Sequence, residues 1–277
     1  GGTVVHINAA VAGLVGAFMV GKRVGYGREA MAPHSLTLTM VGASLLWVGW
    51  FGFNAGSNLE ANGLAALAFI NTFVATAAAA VAWALVEQIH HGRPSLLGAV
   101  TGAVAGLVAI TPASGFAAPM TAILIGLFVS PVCYLFVAVV KNKLKYDDTL
   151  DVFACHGVAG IMGAVLTGVF ASKAVNPIGA DGLLHGNPSL VGIQVLAVVA
   201  TVAFAGTASF GILSALKLVM PLRIRVDAEV QGIDLAEHGE EAYHGSDLSD
   251  LTGRRTALGD AVVLSASDLK RSAARRA

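Results

Sequence analysis

The chain has 277 residues, of which 56% are hydrophobic and 12% charged, and its formal net charge is zero. Soluble domains carry roughly 25% charged residues, so the composition excludes an ordinary soluble enzyme or binding domain and indicates a polytopic α-helical membrane protein. The pattern also argues against a membrane β-barrel, because its strands are alternating segments of ~10 residues and the apolar runs here are continuous and about twice as long.

Seven segments approach the ~20 residues needed to cross the hydrocarbon core. They are roughly 3–20, 35–53, 64–86, 96–111, 120–140, 152–170 and 190–219. The first begins close to Gly1 with neither an initiator Met nor a signal-peptide pattern, so residues upstream of Gly1 are expected to be missing. The fourth is short and interrupted at Thr111-Pro112, with Phe116 as its furthest extent. Glycine is abundant, at 33 residues, as expected where membrane helices pack through small residues. Cys133 and Cys155 both lie in apolar segments and read as small buried hydrophobes, neither a disulfide nor a metal site.

The connections between segments set the orientation. Alternate connections hold Lys22, Arg23 and Arg28, then Arg93, then Lys141, Lys143 and Lys145, then Lys217, Arg223 and Arg225, whereas the other set holds only Lys173. The basic set is expected to be cytoplasmic. The first segment then runs from outside to inside, and the seventh delivers the C-terminus to the cytoplasm.

Two of the segments share a pattern around a histidine. Aligning His6 with His156 matches Ala9 with Ala159, Ala10 with Gly160, Val11 with Ile161 and Gly13 with Gly163. A histidine inside a hydrocarbon-length segment is costly and is by default a functional-site candidate. The segments run in opposite directions, and inverted repeats place their sites at the repeat interface near the midplane. His6 and His156 are therefore expected to be neighbours in the membrane interior, with Gly157 leaving room for close approach. A structural hydrogen bond between helices is the blander reading, and the matched positions weigh against it. Neutral imidazoles can donate from one nitrogen and accept at the other, which suits a small neutral or protonatable solute. A bare metal ion would need more ligands, and no cofactor is expected. The outward-facing stretch Trp50-Phe51-Gly52-Phe53-Asn54-Ala55-Gly56-Ser57 offers aromatic faces that attract cations and a hydroxyl acceptor. An interfacial aromatic belt is an equal reading of it on physics alone.

Gly1 to Ala10, Trp50 to Ser57, Pro94-Ser-Leu-Leu-Gly-Ala99 and Asp151-Val-Phe-x-x-His156-Gly-Val158 together resemble the ammonium transporter (Amt) family. The resemblance runs from Gly1 to about Tyr243. It implies an ammonium-transporter fold of two inverted five-helix repeats plus a last long helix, assembled as a homotrimer. This chain would cover helices five to eleven, about seven transmembrane helices. By resemblance His6 and His156 are twin pore histidines, Phe53 one of two phenylalanines gating the outer mouth, and Ser57 the hydroxyl of an external recruitment site. Trp50 and Thr111 match pore-region residues. Asp151 matches an acidic residue at a helix start, where a structural cap is its expected role. The family's other gating phenylalanine, recruitment-site tryptophan and intramembrane aspartate belong to helices upstream of Gly1.

The resemblance implies recruitment of ammonium or methylammonium outside, deprotonation near the gate and conduction past the histidines. A multi-pass protein of the cell membrane, inner or plasma, is expected, with residues 1–225 in the lipid bilayer as the channel domain. Residues 226–277 form a cytoplasmic tail with ten of the seventeen acidic residues. In it Gly232, Asp234, His238, Gly239, Glu240 and Tyr243 resemble the family's regulatory tail signature, and the part from Leu248 reads as a polar, partly disordered extension. The family's P-II signalling protein is the expected partner at the cytoplasmic face, and no nucleic acid is expected. A membrane ammonium sensor on the same fold is the alternative. A retinal protein would need a mid-membrane lysine in the last helix, and Lys217 lies near its end. No nucleophile, metal cluster or phosphate loop accompanies the histidines, so an enzyme is not expected.

Overall fold

A computed structural model describes residues 1–29 and 31–240. Packing divides the chain into two units, Gly1–Arg223 and Ile224–Ala277. Among the described residues, seven helices are long and apolar enough to cross a membrane. We label them α1 (Gly2–Val20), α2 (Leu36–Asn54), α3 (Gly63–His91), α4 (Leu96–Ile110), α5 (Pro119–Leu144), α6 (Phe153–Phe170) and α7 (Ser189–Val219). The seven expected segments correspond to these seven helices one for one.

Local chemistry sets the helix ends. Orphan amides at a helix start need acceptors. Ser35 Oγ takes the N–H of Leu38, Asn62 Oδ1 takes those of Leu64 and Ala65, and Ser95 Oγ takes that of Gly98. Pro119 opens α5, where its missing N–H costs nothing. Gly92 closes α3 in the left-handed conformation. The fourth span does not continue as a helix to Phe116. α4 ends at Ile110 and tightens into a 3₁₀ turn, Thr111–Ala113, because Pro112 has no N–H to carry the ladder on.

Small residues bring the helices together, as expected where no aqueous driving force separates helix from lipid. On α3 the buried residues Ala68, Asn71, Thr72, Ala75, Thr76, Ala79, Ala82 and Trp83 fall on one face. Gly102 and Gly106 of α4 lie against Ala79, Trp83 and Ala75, and Gly126 of α5 lies against the Ala75 backbone. Ser130 Oγ adds a bond across to Ala79 O at 2.7 Å. α7 is packed lightly: Leu196, Phe204 and Leu218 are exposed, which suits a face turned to lipid tails. A second apolar cluster joins Ile7, Val11, Ala164, Val198 and Ala205 from α1, α6 and α7.

In the second unit α8 (Val226–Gln231) is followed by a π turn, Asp234–His238. Gly232 and Gly239 flank that turn with φ of 107° and 68°, a region that favours glycine. Asp234 and His238 are its first and last residues, and Glu240 is the last described residue of the stretch. Tyr243 and the extension from Leu248 lie outside the described residues.

Candidate functional site

α1 and α6 cross antiparallel. Gly2 lies against the carbonyl of Gly160, Ala10 against Gly157, and Gly13 against Val152. The internal duplication appears in these contacts. A Cβ built on Gly160 would sit 3.2 Å from Ile7 Cγ1, and one on Gly157 would sit 3.1 Å from Ala10 Cβ. With Ile7 matched to Gly157 and Ala10 to Gly160, the two contacts are the same contact seen from either copy. Gly157 therefore makes room for Ala10. At Gly160 an added Cβ would also lie 3.2 Å from His6 Cβ, so the lack of a side chain there makes room for His6.

Each copy departs from α-helical geometry at its histidine. Gly2–Ile7 and Phe153–Val158 are π-helical, and both histidines lie inside these stretches. Such turns are rare and collect at functional sites, because the extra residue in the turn re-aims the side chains after it. The result is that His6 Nδ1 and His156 Nδ1 lie 3.3 Å apart, with ring centroids at 5.4 Å. One ring must donate and the other accept, since two neutral Nδ1–H groups or two bare nitrogens would repel. His6 is 2% exposed, and its Nε2 is buried with no hydrogen-bond partner among the described residues.

An aromatic wall backs the pair. The Trp50 indole stacks on the His6 ring at 5.1 Å and 13°, and Phe53 meets His6 edge-on at 5.9 Å. Trp50 Nε1 donates to Thr111 Oγ1 at 2.8 Å, and Thr111 donates in turn to Leu107 O at 2.7 Å. The irregular turn after α4 thus orients the tryptophan. Asn71 holds the segment that follows this turn, its Nδ2 donating to the carbonyls of Ser114 and Ala117.

Two cavities adjoin this cluster, one through Phe53 and Thr111 and the other through His156. One, of about 260 Å³, is lined by Phe53, Thr111, Ser57, Asn54, Ser114 and Asn176, among others. Ser57 Oγ lines that space and donates to Phe53 O, so its oxygen keeps its capacity to accept. The other, of about 970 Å³, is lined by His156 together with Lys22, Arg23, Lys141 and Asp151. Five of the expected site residues, His6, His156, Trp50, Phe53 and Thr111, thus form one contiguous cluster, with Ser57 one turn beyond Phe53.

Asp151 requires a correction. Its carboxylate does not cap the helix. Asp148 does so, accepting the N–H groups of Val152 and Phe153 at 3.0 and 2.8 Å. Asp151 adopts φ +54°, which turns its side chain to Lys141 Nζ instead. Its negative charge still lies at the favourable end of the α6 dipole. Burial raises the Asp151 pKa and Lys141 only partly opposes that. Asp147 also loses hydration on burial, yet the Arg23 guanidinium and backbone N–H hold its carboxyl below the usual range. Burial, then the carboxylates of Asp148 and Asp151, push the Tyr146 phenol up to about 12. The roles of Asp148 and Lys141 and the π turns have no clear signature in the sequence. An acid eight residues before the histidine was the one available signal.

The sequence model of the Ammonium Transporter Family matches residues 1–243. An ammonium transporter of Bacillus subtilis (strain 168) is 48% identical over 246 residues, covering 89% of this chain and 60% of its own length. The crystal structure of Saccharomyces cerevisiae Mep2 superposes with a TM-score of 0.76 at 34% identity, over 82% of this chain and 53% of that one. A structure described as a sensor Amt protein superposes at 0.78 with 30% identity, over 86% of this chain and 59% of that one. The chain thus spans a little over half the length of the relatives it matches. The matched family model covers most of the sequence, and the inverted crossing carries a histidine from each copy: this chain belongs to the ammonium transporter family.

Proposed function

We propose that the chain carries the twin-histidine part of an ammonium transport pathway. The observation that supports this most directly is the His6–His156 contact at 3.3 Å, backed by Trp50 and Phe53, with His156 lining one cavity and Phe53 another. Moving a bare cation through hydrocarbon is expensive. Ammonium can leave a proton behind and pass as a neutral molecule that donates to one imidazole nitrogen and accepts from another. Sodium and potassium have no proton to give up, so exclusion supplies the selectivity.

In this reading the 260 Å³ cavity is the outer cup. Phe53 is its gate, Ser57 accepts an N–H of the arriving cation, and the aromatic faces stabilise its charge. Ammonium and methylammonium are the solutes. The protein is a homotrimer of the cell membrane with a cytoplasmic C-terminus, and its regulatory tail and a P-II protein act at that face.

Uptake of methylammonium by cells lacking their own ammonium transporters tests this. The gene product as it occurs at its locus is compared with its His156→Ala variant, both checked for membrane delivery. We expect saturable uptake by the unaltered protein and a change of at least several-fold in the variant. Delivery without uptake would favour the sensing role that one structural neighbour's description carries.

A further inference from the structure

Beyond the pathway residues lies a set of charges that ties the two histidine helices together at one end. Arg23, three residues past α1, binds Asp147 with Nη2–Oδ1 at 2.7 Å, Nε–Oδ2 at 2.9 Å and its own backbone N–H to Oδ2 at 2.8 Å. The Asp147 side chain is 1% exposed. Tyr26 Oη adds a bond to Tyr146 O at 2.9 Å. The next residue, Asp148, holds the first amides of α6. Lys141 Nζ then joins the set from α5, donating to Asp148 O at 2.8 Å and to Asp151 Oδ1 at 2.5 Å. Asp151 O accepts Cys155 N at 2.9 Å, the amide immediately before His156.

We propose that this clamp sets the approach of His6 and His156, with Lys141 and Arg23 as positioning residues. Three arguments carry it. The bonds run without a break from the loop after α1 to the amide before His156. Both histidines depend on π turns, and irregular backbone persists only where its surroundings over-determine it. Asp151 adds a non-glycine residue with φ +54°, whose carboxylate Lys141 holds. The margin is also narrow. A slip of one residue along a helix is about 1.5 Å, enough to take a 3.3 Å ring contact out of hydrogen-bond range. Arg23 matters for its fork as well as its charge, because a lysine cannot reproduce the two-pronged geometry.

The inference rests on the proposed function only for its effect on uptake. Ring geometry is read separately, by nitrogen NMR of the full-length gene product in bilayers, with ¹⁵N-labelled histidine and the pair assigned by His6→Ala and His156→Ala. Unaltered protein should show a hydrogen-bonded Nδ1 pair. Lys141→Met and Arg23→Lys should each abolish that signature and lower uptake at least tenfold. Lys143→Met, an exposed neighbour on the same turn, should preserve both, and Lys141→Arg should restore them. If Lys141→Met fails to fold, Arg23→Lys carries the test. If the unaltered protein takes up nothing, the proposed function fails while the ring signal still decides the clamp. A bonded pair that survives both Lys141→Met and Arg23→Lys overturns the inference, even if thermal stability falls. So does the lack of a bonded pair in the unaltered protein.

Discussion

Thr111 Oγ1 makes two hydrogen bonds, accepting from Trp50 and donating to Leu107 O. Its removal strands an indole N–H in a site where Trp50 is 6% exposed. Stranding a buried donor costs about 1–3 kcal/mol. Thr111→Val, which keeps the shape, should therefore lower the thermal midpoint by a few degrees and loosen the ring stacked on His6. Uptake should fall several-fold in the same variant, and an unchanged midpoint would show that the bond contributes nothing. The histidines were legible in the sequence because an imidazole in hydrocarbon needs a reason. Trp50 and Phe53 were not settled that way, since a pore wall and an interfacial belt use the same side chains. For the cap, an acid at 148 and an acid at 151 suit the N-terminus of α6 equally on sequence grounds. Only the backbone direction at φ +54° sends Asp151 to Lys141 and leaves the amides to Asp148.

Among the helices, glycines divide sharply by what surrounds them. A Cβ at Gly163 of α6 would run into the backbone of Ala109 in α4, whereas one at Gly42 of α2 would meet nothing within 4 Å. Gly163→Ala should cost about 1–3 kcal/mol by overpacking. Gly42→Ala should be neutral or slightly stabilising, because alanine restricts the unfolded chain and favours helix. Thermal unfolding of the two variants side by side checks this, and equal midpoints would contradict the crossing geometry. Helix existence and order were legible from continuous hydropathy alone. The π turns were not, because an apolar run reads the same whether its hydrogen bonds reach four residues back or five. Gly157 is one of two glycines at the crossing, packed against Ala10, and only the structure shows that Gly160 is the one beside His6.

For the molecule as a whole, the distribution of lysine and arginine makes orientation testable. Lys143 and Lys173 are exposed and belong to opposite sets of connections. Lys143→Cys and Lys173→Cys should react with a membrane-impermeant thiol reagent from opposite sides of the bilayer, Lys173→Cys in intact cells and Lys143→Cys in inverted vesicles. Cys133 and Cys155 are buried, so the background is low. Labelling of both from one side would overturn the expected topology. The sequence by itself determined seven membrane-length helices and one pair of histidines on antiparallel copies, because hydropathy, length and repeat spacing add up along the chain. The tertiary structure decided the rest: the stacking of Trp50 on His6, the two cavities lined by Phe53 and by His156, and the bonding of Arg23 and Lys141 to the loop before α6. The bond from Arg23 to Asp147 joins residues 124 positions apart at 2.7 Å, a scale set by the packing of all the helices together and carried by no local stretch.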